Sequence, residues 1–439
     1  MRSRRLLDPL TLASAEPAAR LRWLMWSIPA LLFLIAFVHR AAPGVIAKDI
    51  MQAFNTSGAI VGLLSATYFY AYAGFMVPAG LAIDGFGPRR VIAAGSAVMG
   101  LGSLGMALAA TSAPLFAGRF LVGLGATVTF IGALKIAANW FPPSYFGTLS
   151  AVTATVGILG ALISTAPLAA LVTAMGWRGA FVVIGLVTVG GAGLCWTVVR
   201  DRPAGHADTA EPVPPFSEVL AGMLRVLGNR HTWPPFLGFF FLYAAFGNLS
   251  LWSVPYLKDA YGLSTTRAAV YASAVSVALL FSAPLTGYVS DRVVMRRKPP
   301  YMILTGASFS LWVVLVATLG ALPLWAVYLL FFGMGMVGAA FVLTWPLGRE
   351  VNPPALAGIA VAVANLGGFL GAALTQGPVG WVLDAGWAGV MAEGARVYPL
   401  EAYRGAFKVC ALFALTSFAM SFLLRETRGQ NIYRELSRR

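Results

Sequence analysis

Long apolar runs alternate with short polar breaks from residue 23 to residue 424. Most of the runs reach or approach the roughly 20 residues that an α-helix needs to cross the hydrocarbon of a bilayer. The pattern predicts helices over 23–42, 58–82, 91–109, 115–138, 147–170, 178–199, 232–257, 265–288, 301–320, 323–345, 355–383 and 402–424. These runs are continuous and lack the strict apolar–polar alternation of a membrane β-barrel. The predicted fold is all-α and integral to a membrane, with twelve transmembrane helices.

The polar breaks divide the chain into a tail over 1–22, a six-helix bundle over 23–199, a connection over 200–231, a second six-helix bundle over 232–424 and a tail over 425–439. The first half of the connection is Pro-rich and charged and cannot form a span, whereas FSEVLAGMLRVLG fits a short amphipathic helix lying along the membrane surface. His206 and His231 at its two ends read as solvated loop histidines. The halves also repeat one another. GLAIDGFGPRR at 80–90 matches GYVSDRVVMRR at 287–297, FPPSYFG at 141–147 matches NPPALAG at 352–358, and WRGAFVV at 177–183 matches YRGAFKV at 403–409. Three matches in the same order predict two pseudosymmetric bundles, the arrangement that permits alternating access to a site near the midplane.

Composition strengthens this reading. Hydrophobic residues make up 59% of the chain and charged residues 11%, against about 25% charged in a typical soluble domain. The net charge of +15 lies in the breaks and forms no basic stripe interleaved with exposed aromatics, so nucleic acid is not a predicted partner. With both termini cytoplasmic, the inner segments hold 21 of the 31 Lys and Arg residues, which predicts that orientation in a bacterial inner membrane. The first run lacks a cleavage pattern and reads as a first span. Cys195 and Cys410 both fall in apolar runs, and no metal-ligand spacing, nucleophile–base set or phosphate-cradling loop occurs. No cofactor, metal or enzymatic activity is expected.

Twelve helices, a central connection and GLAIDGFGPRR resemble the major facilitator superfamily, whose loop pattern is G-x-x-x-D-(R/K)-x-G-R-(R/K). Gly80, Asp84, Gly87, Arg89 and Arg90 fit it, with Pro88 as an apparent insertion and Gly85 in place of the usual basic residue. Asp291 and Arg292 keep the acidic–basic pair in the second half. GRFLVGLGA carries a second family feature, in which Arg119 opens an R-x-x-x-G-x-G run through Gly123 and Gly125; Val122 replaces the common Gln. The resemblance implies two bundles around a central cavity, and a tie between Arg119 and coupling if protons are carried. FVHRAAPGVIAKDI and YFYAYAGFMVPAG are loosely similar to organic-anion and sugar-phosphate permeases.

Gly80 and Gly287 are expected to let helices approach closely at the inner rim. Asp84 and Asp291, with Arg89, Arg90 and Arg292, are candidate gate residues there. An ionised side chain at membrane depth should face a cavity or a partner. The candidates are Arg40, Arg119, Lys135 and Lys408, all basic, and a cavity of one sign would concentrate an anion. Arg40 and Lys135 can instead snorkel to the outer and inner interfaces. Tyr68, Tyr72, Tyr243, Asn248 and Asn365 could complete a binding site, with Gln376 beside Asn365 on the same run; Trp345 reads as a kink or belt residue. The expected partner is a small anionic solute moved by symport, antiport or facilitated exchange, with rim carboxylates leaving room for a proton path. Function as a monomer in contact with membrane lipid is expected. Proton-driven efflux of a hydrophobic compound and a non-transporting receptor role stay open.

Overall fold

The computed structural model describes residues 9–203 and 215–437. Arg2, Arg4, Arg5, His206 and most of the Pro-rich part of the connection lie outside the described residues. Twelve helices are long and apolar enough to cross a membrane. In the first half they are α1 (Arg20–Phe54), α2 (Gly58–Phe86), α3 (Pro88–Leu108), α4 (Ser112–Trp140), α5 (Pro143–Ile163) and α6 (Ala166–Val198). In the second they are α7 (Arg230–Tyr261), α8 (Thr265–Val293), α9 (Lys298–Ala317), α10 (Leu324–Glu350), α11 (Pro354–Ala385) and α12 (Leu400–Leu423). Helical backbone dominates because hydrocarbon offers no partner to a free N–H or C=O, so each span must satisfy its own. Leu186, Leu329 and Leu412 remain more than half exposed, as suits faces that meet lipid.

Within each half the helices bundle. α3 packs on α4 and α6, α2 packs on α4, α8 packs on α10, and α12 packs on α7 and α9. The halves meet through α2 against α11, α1 against α7, and α8 against α5 and α6. With an even number of spans, both ends of the helical body lie on one side, here called the terminal face; the other is the far face. The segment Phe216–Gly228 is a helix whose Gly222 and Val226 are buried, with Gly222 lying against Ile359 of α11.

The largest departures from the expected boundaries, twelve residues each, fall at the end of α1 and the start of α6, and α5 ends at Ile163 where the expected helix ran to 170. α1 runs through Pro43 and Gly44 to Phe54, twelve residues beyond the expected end at 42, so Arg40 stands near the middle of a span and does not reach an interface. A membrane helix tolerates proline when a neighbouring group takes up the carbonyl that it strands. α6 is broken at Gly176, whose φ of 73° only glycine adopts without strain, and its first segment Ala166–Met175 lies on the far side of the expected start at 178. The turn from α2 to α3 is a single residue, Gly87, with φ of 84°. A Cβ there would also stand 2.7 Å from the Asp201 carboxylate.

Candidate functional site

The far face is shut by contact between the halves. A Cβ at Gly44 would strike the Ser250 carbonyl oxygen of α7, one at Gly62 the Gln376 carbonyl oxygen of α11, and one at Gly380 the Gly58 carbonyl oxygen of α2. Glycine at these places lets backbones touch across the interface. Two polar clasps reinforce the contact. Lys48 of α1 pairs with Asp259 of α7 at 2.6 Å, and both side chains are under one-tenth exposed. Asp259 also accepts from the Tyr403 hydroxyl at 2.8 Å and the Tyr398 N–H at 3.1 Å, while Lys48 donates in addition to the Arg396 carbonyl. In the second clasp Asp384 of α11 accepts the N–H groups of Gly58 and Ala59 at 2.9 and 2.8 Å, at the first turn of α2. A carboxylate there meets both free donors and the positive end of the helix dipole. Tyr398 and Arg396, from the loop carrying the two-residue strands β1 (Met391–Ala392) and β2 (Ala395–Arg396), donate to the same carboxylate at 2.6 and 3.1 Å.

Below this closure a cavity of about 750 Å³ separates the halves. Its wall runs from Val45, Ser253 and Val254 near the far face to Tyr288 and Asp291 at the terminal face. Tyr288 is 61% exposed, so the cavity opens on the terminal face. Arg40 is the one basic side chain on the wall among the described residues. Its guanidinium lies 4.1 Å from the centre of the Phe37 ring, 5.1 Å from Phe369, 5.3 Å from Tyr72 and 5.6 Å from Tyr68. Tyr243 of α7 is a further neighbour. Phe369 joins the box with its ring tilted against Tyr72 at 4.4 Å, so rings from both halves enclose one cation. No ion pair to Arg40 occurs among the described residues, and its Nε is buried without a hydrogen-bond partner. Seated among ring faces and tyrosine hydroxyls with no carboxylate beside it, the guanidinium can turn its fork to a carboxylate, sulfonate or phosphate.

The family profile described as Major Facilitator Superfamily matches residues 30–376. The chain belongs to the Major Facilitator Superfamily. Among relatives of this facilitator, the hexuronate transporter of Bacillus subtilis is 27% identical over 396 residues, covering 81% of this chain and 88% of its own. A probable galactarate/D-glucarate transporter of Bacillus subtilis is 25% identical over 417 residues, covering 85% and 89%. A probable sulfoacetate transporter of Cupriavidus necator is 26% identical over 295 residues, covering 63% and 66%. The fold is shared with a bacterial homolog of the human lysosomal transporter Spinster, with a TM-score of 0.74, 19% identity and coverage of 92% and 96%.

The facilitator's remaining predicted residues divide by helix face. Tyr72, Tyr243 and Asn365 stand on the cavity wall, and Gln376 and Trp345 join them. Trp345 is therefore not only a kink residue, since its Nε1 donates to Asn365 Oδ1 at 3.1 Å. Asn248 lies behind the wall, donating to the Ala244 carbonyl at 2.8 Å and to Thr375 at 3.0 Å. Tyr68 is buried between Arg40 and Arg119.

Arg119 does not line the cavity and is fully buried. It donates to the His39 carbonyl at 2.6 Å and the Arg40 carbonyl at 3.3 Å. The cause lies in the sequence of α1. Pro43 has no N–H, so the carbonyl four residues before it, that of His39, loses its helical donor. Arg119 replaces that donor and braces the backbone that presents Arg40. Pro43 is the signal in the sequence for this role, and nothing local to Arg119 points to it.

Lys135 and Lys408 also leave the cavity. Lys135 pairs with Asp84 at 2.6 Å at the rim, and Lys408 is exposed on α12. Four inward basic groups thus reduce to one, because depth in the sequence does not fix which way a helix is turned. At the terminal face Asp291 pairs with Arg297, which also reaches Glu350 at 3.4 Å. Asp84 and Asp291 each pair within their own half in this conformation, so neither latches the halves together. Arg89 ties α3 to the end of α6 through its N–H to Asp201 at 2.6 Å and its Nε to the Trp196 carbonyl at 2.8 Å, whereas Arg90 and Arg292 are exposed. Gly80 and Gly287 differ from expectation. A Cβ at Gly80 would meet nothing within 4 Å, and one at Gly287 only Val342 at 4.0 Å, because the rim stands apart here.

Proposed function

We propose that this facilitator carries a small organic anion across a bacterial inner membrane by alternating access. Arg40 is the residue that binds the charge. The observation that carries this reading is a cation on the cavity wall, boxed by rings from both halves and with no carboxylate paired to it among the described residues. Desolvating a charge costs free energy unless a partner offsets it, and a bound anion is such a partner. Relatives named for hexuronate, galactarate/D-glucarate and sulfoacetate transport point to the same class of solute. The excess of Lys and Arg in the terminal-face segments supports a cytoplasmic terminal face, with the cavity opening inward. In the cycle, a bound anion draws the boxed halves together, the far-face clasps part, and the terminal rim closes in turn.

Counterflow in proteoliposomes tests the reading. Labelled anion accumulates with the unaltered chain, falls by roughly a hundredfold with Arg40→Ala, and recovers in part with Arg40→Lys, which keeps the charge but not the fork. Equal flux with Arg40→Ala would remove Arg40 from the path.

A further inference from the structure

We infer that the solute is a monoanion with a compact apolar body of ring size, and that polyhydroxylated diacids are poor ligands. This rests on the organic-anion reading above and narrows it. One cationic anchor serves one acidic group. The carboxylate at the cavity mouth, Asp291, is already paired with Arg297 and adds no positive charge to the wall.

Between anchor and mouth the wall is made largely of Phe130, Ile158, Phe246, Leu279, Phe341 and Val342, drawn from α4, α5, α7, α8 and α10. Several of the polar side chains on the wall are engaged already. Thr155 donates to the Ala151 carbonyl at 3.0 Å, Ser164 to Ala161 at 2.6 Å and Ser150 to Phe146 at 2.7 Å, each within its own helix. Asn365 is held by Trp345 and by the Met76 thioether, and the Gln376 amide nitrogen donates to the Gly247 carbonyl at 3.3 Å, which leaves its Oε1 as a single buried acceptor near the far end of the wall.

A solute hydroxyl entering this space gives up water and meets ring faces, and each such loss weakens binding. An apolar ring gains instead by covering the same surface. The volume of about 750 Å³ accommodates one or two rings. The solute class inferred here therefore differs from the sugar acids for which relatives are named.

The test measures ligand-induced thermal stabilisation of the purified full-length chain, and inhibition of counterflow, with phenylacetate, phenylacetamide and glucarate as probes. Phenylacetate is expected to act at concentrations at least about tenfold below both others. Arg40→Ala should abolish its effect. Phe246→Gln should weaken phenylacetate by roughly tenfold while leaving glucarate unchanged or improved, and Phe246→Leu, which keeps an apolar wall, should retain most of the binding. Tighter, Arg40-dependent binding of glucarate would overturn this inference and leave the organic-anion reading standing. Equal binding of phenylacetate and phenylacetamide, unaffected by Arg40→Ala, would overturn the organic-anion reading itself.

Discussion

Pro43, His39, Arg40 and Arg119 form one unit. The proline strands a carbonyl, the buried arginine takes it up, and the neighbouring arginine is thereby presented to the cavity. Removing Arg119 leaves a buried acceptor unpaired, at a cost of about 1–3 kcal/mol. Arg119→Gln should therefore lower the thermal stability of the purified chain. Pro43→Ala restores the missing helical donor, so Arg119→Gln should cost less in that background. A double-mutant cycle on unfolding temperature measures the difference, and strictly additive effects would refute the coupling. Arg119 reads from the sequence as a cavity candidate because its depth and charge are visible in the chain, but the carbonyl it serves is eighty residues away.

At the scale of elements, the far-face clasps join segments that share no local pattern. Lys48 is a residue of α1, Asp259 of α7, and Asp384 caps α2 from α11. Replacing both members of the buried pair, with Lys48→Met and Asp259→Leu, removes the clasp without leaving a lone charge. The halves should then part more often at the far face. Ser253 lies on the cavity wall just beneath the closure and is buried. With Ser253→Cys as a reporter, labelling by an impermeant maleimide from the far side should quicken by a factor on the order of ten in the clasp variant. Unchanged labelling would show that the glycine contacts alone keep this face shut. The native cysteines, Cys195 and Cys410, are fully buried and suit such an assay.

At the scale of the whole molecule, one face is closed by glycine-mediated contact and the other is apart, and transport requires these states to exchange. Gly80 has open space around it in the present state. Gly80→Leu should leave thermal stability within about 0.5 kcal/mol of the unaltered protein, as is usual for an uncrowded position. It should nevertheless slow counterflow severalfold, because the added side chain obstructs the rim as it closes. Full flux at normal stability would show that this glycine is not part of the closed rim.

The pattern along the chain is enough for the membrane environment, twelve spans and the two related halves, since lipid forces continuous apolar helices and leaves the repeat visible between them. The family resemblance was legible in Gly80, Asp84, Gly87, Arg89 and Arg90 for the same reason, as a local pattern at a helix end. Arg40, Tyr72, Tyr243 and Asn365 were legible as polar residues at depth, and they do stand on the cavity wall. Packing between distant helices is what sets Arg119 against a proline-stranded carbonyl, turns Lys135 and Lys408 away from the cavity, and brings Lys48, Asp259 and Asp384 to shut the far face. A span of nearly uniform hydropathy does not specify its own rotation. That is set by packing against helices hundreds of residues distant, and rotation decides whether a charge meets the cavity, another helix or lipid.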